Sequence, residues 1–134
     1  MPTTGRCQCG GVAYEIAGSP IKFYVCHCTE CRRQSASAFG ISAIVRAADF
    51  CVTRGSPTSW SRPTDSGKRL DCHFCPDCGS RLFHTSTGSA TVSVKGDSLD
   101  VPPDLAGAIH IWTARKLAGV TIPAGATQFP GEPP

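Results

Sequence analysis

The sequence predicts a mainly β fold with only short helical pieces, and three observations carry that prediction. Fourteen glycines and eleven prolines in 134 residues punctuate the chain with turns and leave little room for long helices. Apolar and β-rich runs recur along the chain, most bounded by Gly, Pro, Ser or Asp, as strands joined by tight connections should be. The nine cysteines fall mainly in close clusters at the ends of those runs, where the chain has to bend.

Taken in order, strands are expected at Gly11–Ala17 and Ile21–Val25, then a short helix over Thr29–Gln34 directly after a cysteine triplet. Strands follow at Phe39–Val45, Phe50–Thr53, Ser59–Ser61, Arg69–Phe74, Arg81–Thr85 and Thr91–Val94. A turn near Asp104–Ala106 leads into a last strand over Ile109–Trp112. The tail from Ala124 to Pro134 holds three prolines and two glycines, which bar regular structure, so it is expected to lie irregularly along the surface. A hydrophobic fraction of 40% and a charged fraction of 17% read as globular. The length suits one domain over residues 1–134.

Charge and hydropathy exclude several classes. A net charge of +3 is too small and too scattered for a nucleic-acid surface, and Arg32-Arg33 alone make no backbone-binding stripe. No stretch is apolar for long enough to span a membrane. The opening Met1 to Cys9 lacks the apolar core of a secretory leader, so the sequence points to the cytoplasm, a reducing compartment where disulfides are rare.

The cysteines therefore read as metal ligands. Cys7-Gln-Cys9, Cys26-His-Cys28-x-x-Cys31 and Cys75-x-x-Cys78 are too closely spaced to pair within a cluster, yet suit two ligands on one tetrahedral ion. In Phe74-Cys75-Pro76-Asp77-Cys78-Gly79-Ser80, Pro76 presets the turn and Gly79 accepts the positive φ that completes a zinc knuckle. A redox dithiol would expect a surrounding βαβ pattern, and none is visible. Gly10-Gly11 gives Cys7-x-Cys9 the freedom to bend both thiols toward one ion.

Two allocations fit the spacing. In the first, Cys7, Cys9, Cys75 and Cys78 make a closed four-thiolate site, and Cys26, Cys28 and Cys31 make a three-thiolate site with one open position. In the second, Cys7, Cys9, Cys26 and Cys28 close one site, and Cys31, Cys72, Cys75 and Cys78 close another. Closed sites hold structure, whereas three protein ligands plus an exchangeable fourth mark a working zinc. Spacing favours the first modestly, because Cys28 and Cys31 are themselves a Cys-x-x-Cys unit.

The order Gly5-Arg6-Cys7-x-Cys9-Gly10, Cys26-His27-Cys28-x-x-Cys31-Arg32-Arg33 and Cys75-x-x-Cys78-Gly79-Ser80 resembles the glutathione-dependent formaldehyde-activating enzyme family, which includes centromere protein V-like members. The resemblance continues through Ser37-Ala38-Phe39, Gly96-Asp97-Ser98-Leu99-Asp100 and His110-Ile111-Trp112 to about Leu117. It implies a small zinc-binding β-tent fold with two Zn²⁺ sites. Cys7, Cys9, Cys75 and Cys78 correspond to structural zinc ligands, and Cys26, Cys28 and Cys31 to catalytic ones. The implied activity is that of a carbon–sulfur lyase which, in the forward direction, joins glutathione and formaldehyde to give S-hydroxymethylglutathione. The implied partner is glutathione or another small thiol. A non-catalytic zinc-binding interaction module is the alternative.

That chemistry suits these residues. Zinc with an open position can hold an incoming thiol as thiolate at neutral pH, or polarise a carbonyl oxygen. Three thiolates leave the site with a net charge of minus one, which Arg32 and Arg33 could offset, or they could hold a substrate carboxylate. Two positions depart from the family pattern. Ala36 stands where the family often has Gly, and Arg115-Lys116-Leu117-Ala118-Gly119 lacks a Pro-Trp, which would remove an aromatic wall.

Of the remaining residues, His27 is expected to point away from the ion, either next to the ligands or out on the surface. His84 and His110 lie in expected strands, and His110 is the first candidate for a proton shuttle. Cys51 reads as a small buried hydrophobe and Cys72 as a core thiol. Trp60 and Trp112 read as core or pocket wall.

Overall fold

A computed structural model describes residues 2–64 and 67–134, and the mainly β expectation holds. The strands are β1 (Thr3–Arg6), β2 (Ala13–Ile16), β3 (Lys22–Cys26), β4 (Gly40–Arg46) and β5 (Phe50–Arg54). They continue as β6 (Thr58–Pro63), β7 (Arg69–Phe74), β8 (Arg81–Ser86), β9 (Thr91–Lys95) and β10 (Ile109–Ile111). The helix α1 spans Thr29–Ser35, and short 3-10 turns occupy Ala47–Asp49, Gly96–Ser98 and Thr113–Arg115.

Two open sheets result. A three-stranded sheet runs β1-β2-β5, and a seven-stranded sheet runs β10-β3-β4-β9-β8-β7-β6. All pairings are antiparallel except β10 with β3, which is parallel. β1 was not expected, because Thr-Thr-Gly-Arg has no apolar alternation. It forms because its backbone pairs along β2, with Gly5 opposite Tyr14.

Residues directly opposite each other share a face of a sheet, and the seven-stranded sheet uses its two faces differently. One row across it reads Phe23, Ala43, Val94, Phe83 and His73. Ala43, Val94 and Phe83 in that row belong to the buried core, with Tyr14 and Ile16 of the small sheet and Val45, Leu82 and Val92. Aromatic contacts bridge the sheets, Tyr14 to Phe50 at 5.4 Å and Phe50 to Phe83 at 4.6 Å between ring centres. The next row reads Ile44, Ser93, His84, Cys72 and Trp60 and lies on the opposite face.

Tyr14 anchors the small sheet, its hydroxyl 2.6 Å from the Ser98 hydroxyl. A Cβ on Gly5 would overlap the Tyr14 hydroxyl and crowd the Ser98 carbonyl. Gly5→Ala is therefore expected to cost about 1–3 kcal/mol of stability through overpacking, measured by chemical denaturation.

Two sequence expectations change. Cys51 is exposed and is not a core residue. Phe50 and Val52 pack against the core, and strand alternation turns the residue between them outward. The C-terminal tail lies on the surface as expected, but it is pinned. Gln128 bridges in parallel to His110, with hydrogen bonds from the His110 amide to the Thr127 carbonyl and from the Phe129 amide to the His110 carbonyl, each 2.9 Å. The expected turn near Asp104 forms, the Asp104 carboxylate accepting from the Ala106 amide at 2.9 Å.

Candidate metal centre

The cysteines gather as two groups. The sulfurs of Cys7, Cys9, Cys75 and Cys78 lie within 4.8 Å of one another, and so do those of Cys26, Cys28 and Cys31. Cys72 is fully buried and belongs to neither group, and Cys51 stands apart. Ligands at about 2.3 Å in a tetrahedron place sulfurs about 3.8 Å apart. Cys7 to Cys9 at 3.6 Å and Cys9 to Cys75 at 3.7 Å match that spacing, so the donor set fits a metal ion.

The four-thiol group joins the two sheets. Cys7 follows β1 of the small sheet, and Cys75 follows β7 of the large one. Both are buried, 1% and 0% exposed, as members of the core. Backbone amides aim at the sulfurs: Val12 N donates to Cys7 at 3.2 Å and Gly11 N to Cys9 at 3.4 Å. The Cys75-x-x-Cys78 turn closes with Gly79 N on the Cys75 carbonyl at 2.9 Å. Gly79 sits at φ +78°, the positive angle the knuckle requires. The Ser80 hydroxyl, 3.2 Å from Cys78, together with backbone amides at Ser80 and Cys9, pulls the Cys78 thiol down to about 5.

The three-thiol group is local. Cys26 ends β3, Cys28 is the N-cap of α1, and Cys31 lies in its first turn. The Cys31 amide donates to the Cys28 sulfur at 3.2 Å, the bond an N-cap Ser or Asp would otherwise make. Hydrogen bonds from the Cys26 and Cys31 thiols hold Cys28 well below the ordinary thiol range, at about 2. The same bond to Cys28 pushes Cys26 up. Charge on this trio is thus shared among its sulfurs and the amides at the start of α1.

These three cysteines stand at a cavity of about 530 Å³. Its floor is the second face of the seven-stranded sheet, with Tyr24, Ser42, Ser93, His84 and Trp60 among the lining residues. Helix α1 borders it through Glu30, Arg33 and Gln34. Trp112 and the tail residues Glu132 and Pro133 border it too. Trp112 leaves β10 in the left-handed conformation, φ +55°, and its ring nitrogen donates to Glu132 at 2.8 Å. Aromatic walls are therefore present, from Trp60 and Trp112, although the Pro-Trp of the family pattern is missing. Trp60 is 55% exposed, a wall residue rather than core.

The other sequence candidates sort by strand parity. His110 does not line the cavity; its neighbour Ile111 does. The His110 ring turns the other way and meets fully buried His27, Nε2 to Nδ1 3.0 Å, with the rings stacked. His27 is thus buried behind the ligands and not on the surface. His84 is the histidine on the cavity. Arg33 lies at the rim in an exposed pair with Glu30, 3.2 Å, and Arg32 contacts Thr29 at 3.5 Å. The cations that line the cavity from the sheet are instead Arg62, Arg81 and Lys95. Sequence reading missed them because they are far apart in the chain. The period-two pattern of β6 and β9 is the signal that could have found Arg62 and Lys95.

His84 is 9% exposed. Burial, then the nearby charges of Lys95, Arg81 and Arg62, push it from 6.5 to about 2. The unfolded chain therefore binds a proton here below about pH 6.5 that the folded chain refuses, so stability falls as pH drops through that value. The slope reaches about 1.4 kcal/mol per pH unit for one such group. Between pH 7.5 and 5.5 the melting temperature is expected to fall, and to fall less in His84→Gln. Equal slopes in scanning fluorimetry would assign the effect elsewhere.

Comparisons with known proteins bear on the family and the fold. No curated protein matches the chain closely enough to count as a relative. A Rhodobacter sphaeroides protein, solved by crystallography as a Northeast Structural Genomics target, superposes with a TM-score of 0.62 at 25% sequence identity. The match covers 80% of this chain and 98% of that one. Residues 2–115 match the family described as glutathione-dependent formaldehyde-activating enzyme, and with so much of its length matched the chain belongs to that family.

Proposed function

We propose that the protein is a zinc-dependent carbon–sulfur lyase that joins a small thiol such as glutathione to formaldehyde. In this reading Cys7, Cys9, Cys75 and Cys78 hold a structural Zn²⁺, and Cys26, Cys28 and Cys31 hold a catalytic one. The observation that supports it best is the asymmetry between the two groups. One group offers four sulfurs and the other three; Cys7 and Cys78 also border a cavity, of about 1020 Å³, and Cys9 is exposed, so the donor count is what separates the two. Three protein ligands with access to a fourth is the arrangement of a working zinc. That accessible trio also favours an enzyme over a purely structural interaction module.

Zinc bound there supplies positive charge that keeps a substrate thiol ionised at neutral pH. The chain's own residues do the rest. Cys26, Cys28 and Cys31 fix where the substrate sulfur sits, through the end of β3 and the first turn of α1. Trp60, Trp112 and Tyr24 wall the cavity in which the reacting groups would meet. In the addition, a sulfur–carbon bond forms and the carbonyl π bond opens. The proton lost by the thiol is balanced by one gained on the former carbonyl oxygen. The reverse reaction breaks the same bond and returns thiol and aldehyde.

The test follows ¹³C-formaldehyde and glutathione by NMR with zinc-loaded protein. A rate of S-hydroxymethylglutathione formation above the spontaneous one, erased by a chelator, is expected. A rate equal to the spontaneous reaction at micromolar protein would defeat the proposal.

A further inference from the structure

His27 and His110 are buried, paired and unused by the chemistry above. His27 is 0% exposed although it stands between two of the three thiols, Cys26 and Cys28. Those cysteines line the cavity and His27 does not, as alternation along an extended segment requires. Its ring is held from behind. It stacks on His110, with His27 Nε2 3.0 Å from His110 Nδ1, and tilts against Phe39 at 5.6 Å between ring centres. Its backbone amide donates to the Ile111 carbonyl at 3.0 Å, which carries on the parallel pairing of Cys26 with Ile111. Main chain and side chain of His27 are thus both fastened to β10. That strand is clamped in turn by the tail, which engages the His110 amide and carbonyl from Thr127 and Phe129.

The hydrogen bonding assigns the tautomers. Across a contact between two ring nitrogens, one must donate and the other accept. His27 Nδ1 is buried and, among the described residues, has no partner. A buried N–H with no acceptor is the rarer and costlier case in folded proteins, so Nδ1 carries the lone pair. The His27 proton is therefore on Nε2 and is donated to His110 Nδ1.

We infer that His27 and His110 are positioning residues for the three-thiol centre, a hydrogen-bonded strut that braces the Cys26–Cys28 segment against β10 and keeps both thiols turned to the cavity. This rests on the reading of that group as a zinc site. The trio needs such a brace because its sulfurs come from a strand end and the first turn of one short helix, with no second element among them to fix the geometry. Groups behind metal ligands set their orientation, and removing one weakens metal binding about 10–100-fold. The strut gives His110 a task on the far side of the sheet from the one its sequence suggested. It also ties the C-terminal tail, through β10, to the thiols.

Titration of the zinc-loaded protein with a chromophoric chelator tests this, the zinc of the trio being the one missing from Cys31→Ser. In His110→Leu that zinc is expected to be held about 10–100-fold more weakly, with the other zinc held as in the parent. His110→Asn should keep most of the parent's affinity, because its side-chain carbonyl accepts from His27 Nε2 where Nδ1 did. Equal loss in the two variants, or no loss in His110→Leu, would overturn the strut while leaving the zinc site in place. A second measurement needs no variant and so does not depend on how the substitutions fold. Long-range ¹H–¹⁵N NMR of the histidine rings in the zinc-loaded parent should show His27 protonated at Nε2 and bare at Nδ1. A His27 proton on Nδ1 would overturn the strut. A parent that holds only one zinc would instead defeat the three-thiol centre, and the strut with it.

Discussion

Cys75→Ser is expected to abolish the folded state. Cys75 is fully buried in the core, and its sulfur lies 3.7 Å from that of Cys9, 66 residues away in sequence. The four-thiol group is thus a cross-link between β1 and β7, elements in different sheets. Structural zinc contributes about 10–16 kcal/mol to folding in small zinc domains. A domain of this size has only about 5–15 kcal/mol of net stability, so losing the zinc proposed for this site would remove most or all of it. Circular dichroism should show loss of the cooperative melt, together with loss of most bound zinc. A variant melting within a few degrees of the parent would remove the structural role from this site.

Cys31→Ser is expected to behave in the opposite way: folded, with about one zinc fewer per chain, and inactive. Cys26, Cys28 and Cys31 span six residues of one continuous segment, so an ion there closes only a short loop and ties no distant elements together. The loop-closure argument that makes long-range links stabilising gives little here. Its loss should cost the order of the short helix α1 and little of the β sheets. The chemistry is another matter. Loss of several kcal/mol of charge stabilisation at the reacting sulfur should slow the addition by about 10³-fold. Equal falls in melting temperature for Cys31→Ser and Cys75→Ser would contradict this division of roles.

The sequence made some of this legible and hid the rest for physical reasons. The grouping of Cys7 and Cys9 with Cys75 and Cys78 was one of two allocations that spacing allowed. Only the pairing of the chain into sheets brings residues 66 apart together. Strands such as Thr91–Lys95 were readable because Val92 and Val94 alternate with polar residues. β1 was not, because its stability comes from backbone pairing and from the space that Gly5 leaves for Tyr14. Cys51 was misjudged by residue type, when the alternation of Phe50 and Val52 already turned it outward. His110, the first candidate for a proton shuttle on the near-neutral pKa of a histidine, is turned by strand parity onto His27, and His84 is left on the cavity. The tail looked featureless because prolines preclude a strand. It still finds order by donating and accepting a few backbone bonds along β10.

The alternation along β4 and β9 has an evolutionary consequence. On each strand, one set of residues builds the core and the interleaved set builds the cavity, so two kinds of selection act on neighbouring letters without interfering. Ala43, Val45, Val92 and Val94 answer to packing, whereas Ser42, Ile44, Ser93 and Lys95 answer to whatever the cavity must accept. A lineage can therefore exchange its substrate by drift at every second position while its scaffold stays fixed. Relatives with different chemistries should diverge along the strands in a comb-like pattern, not in blocks.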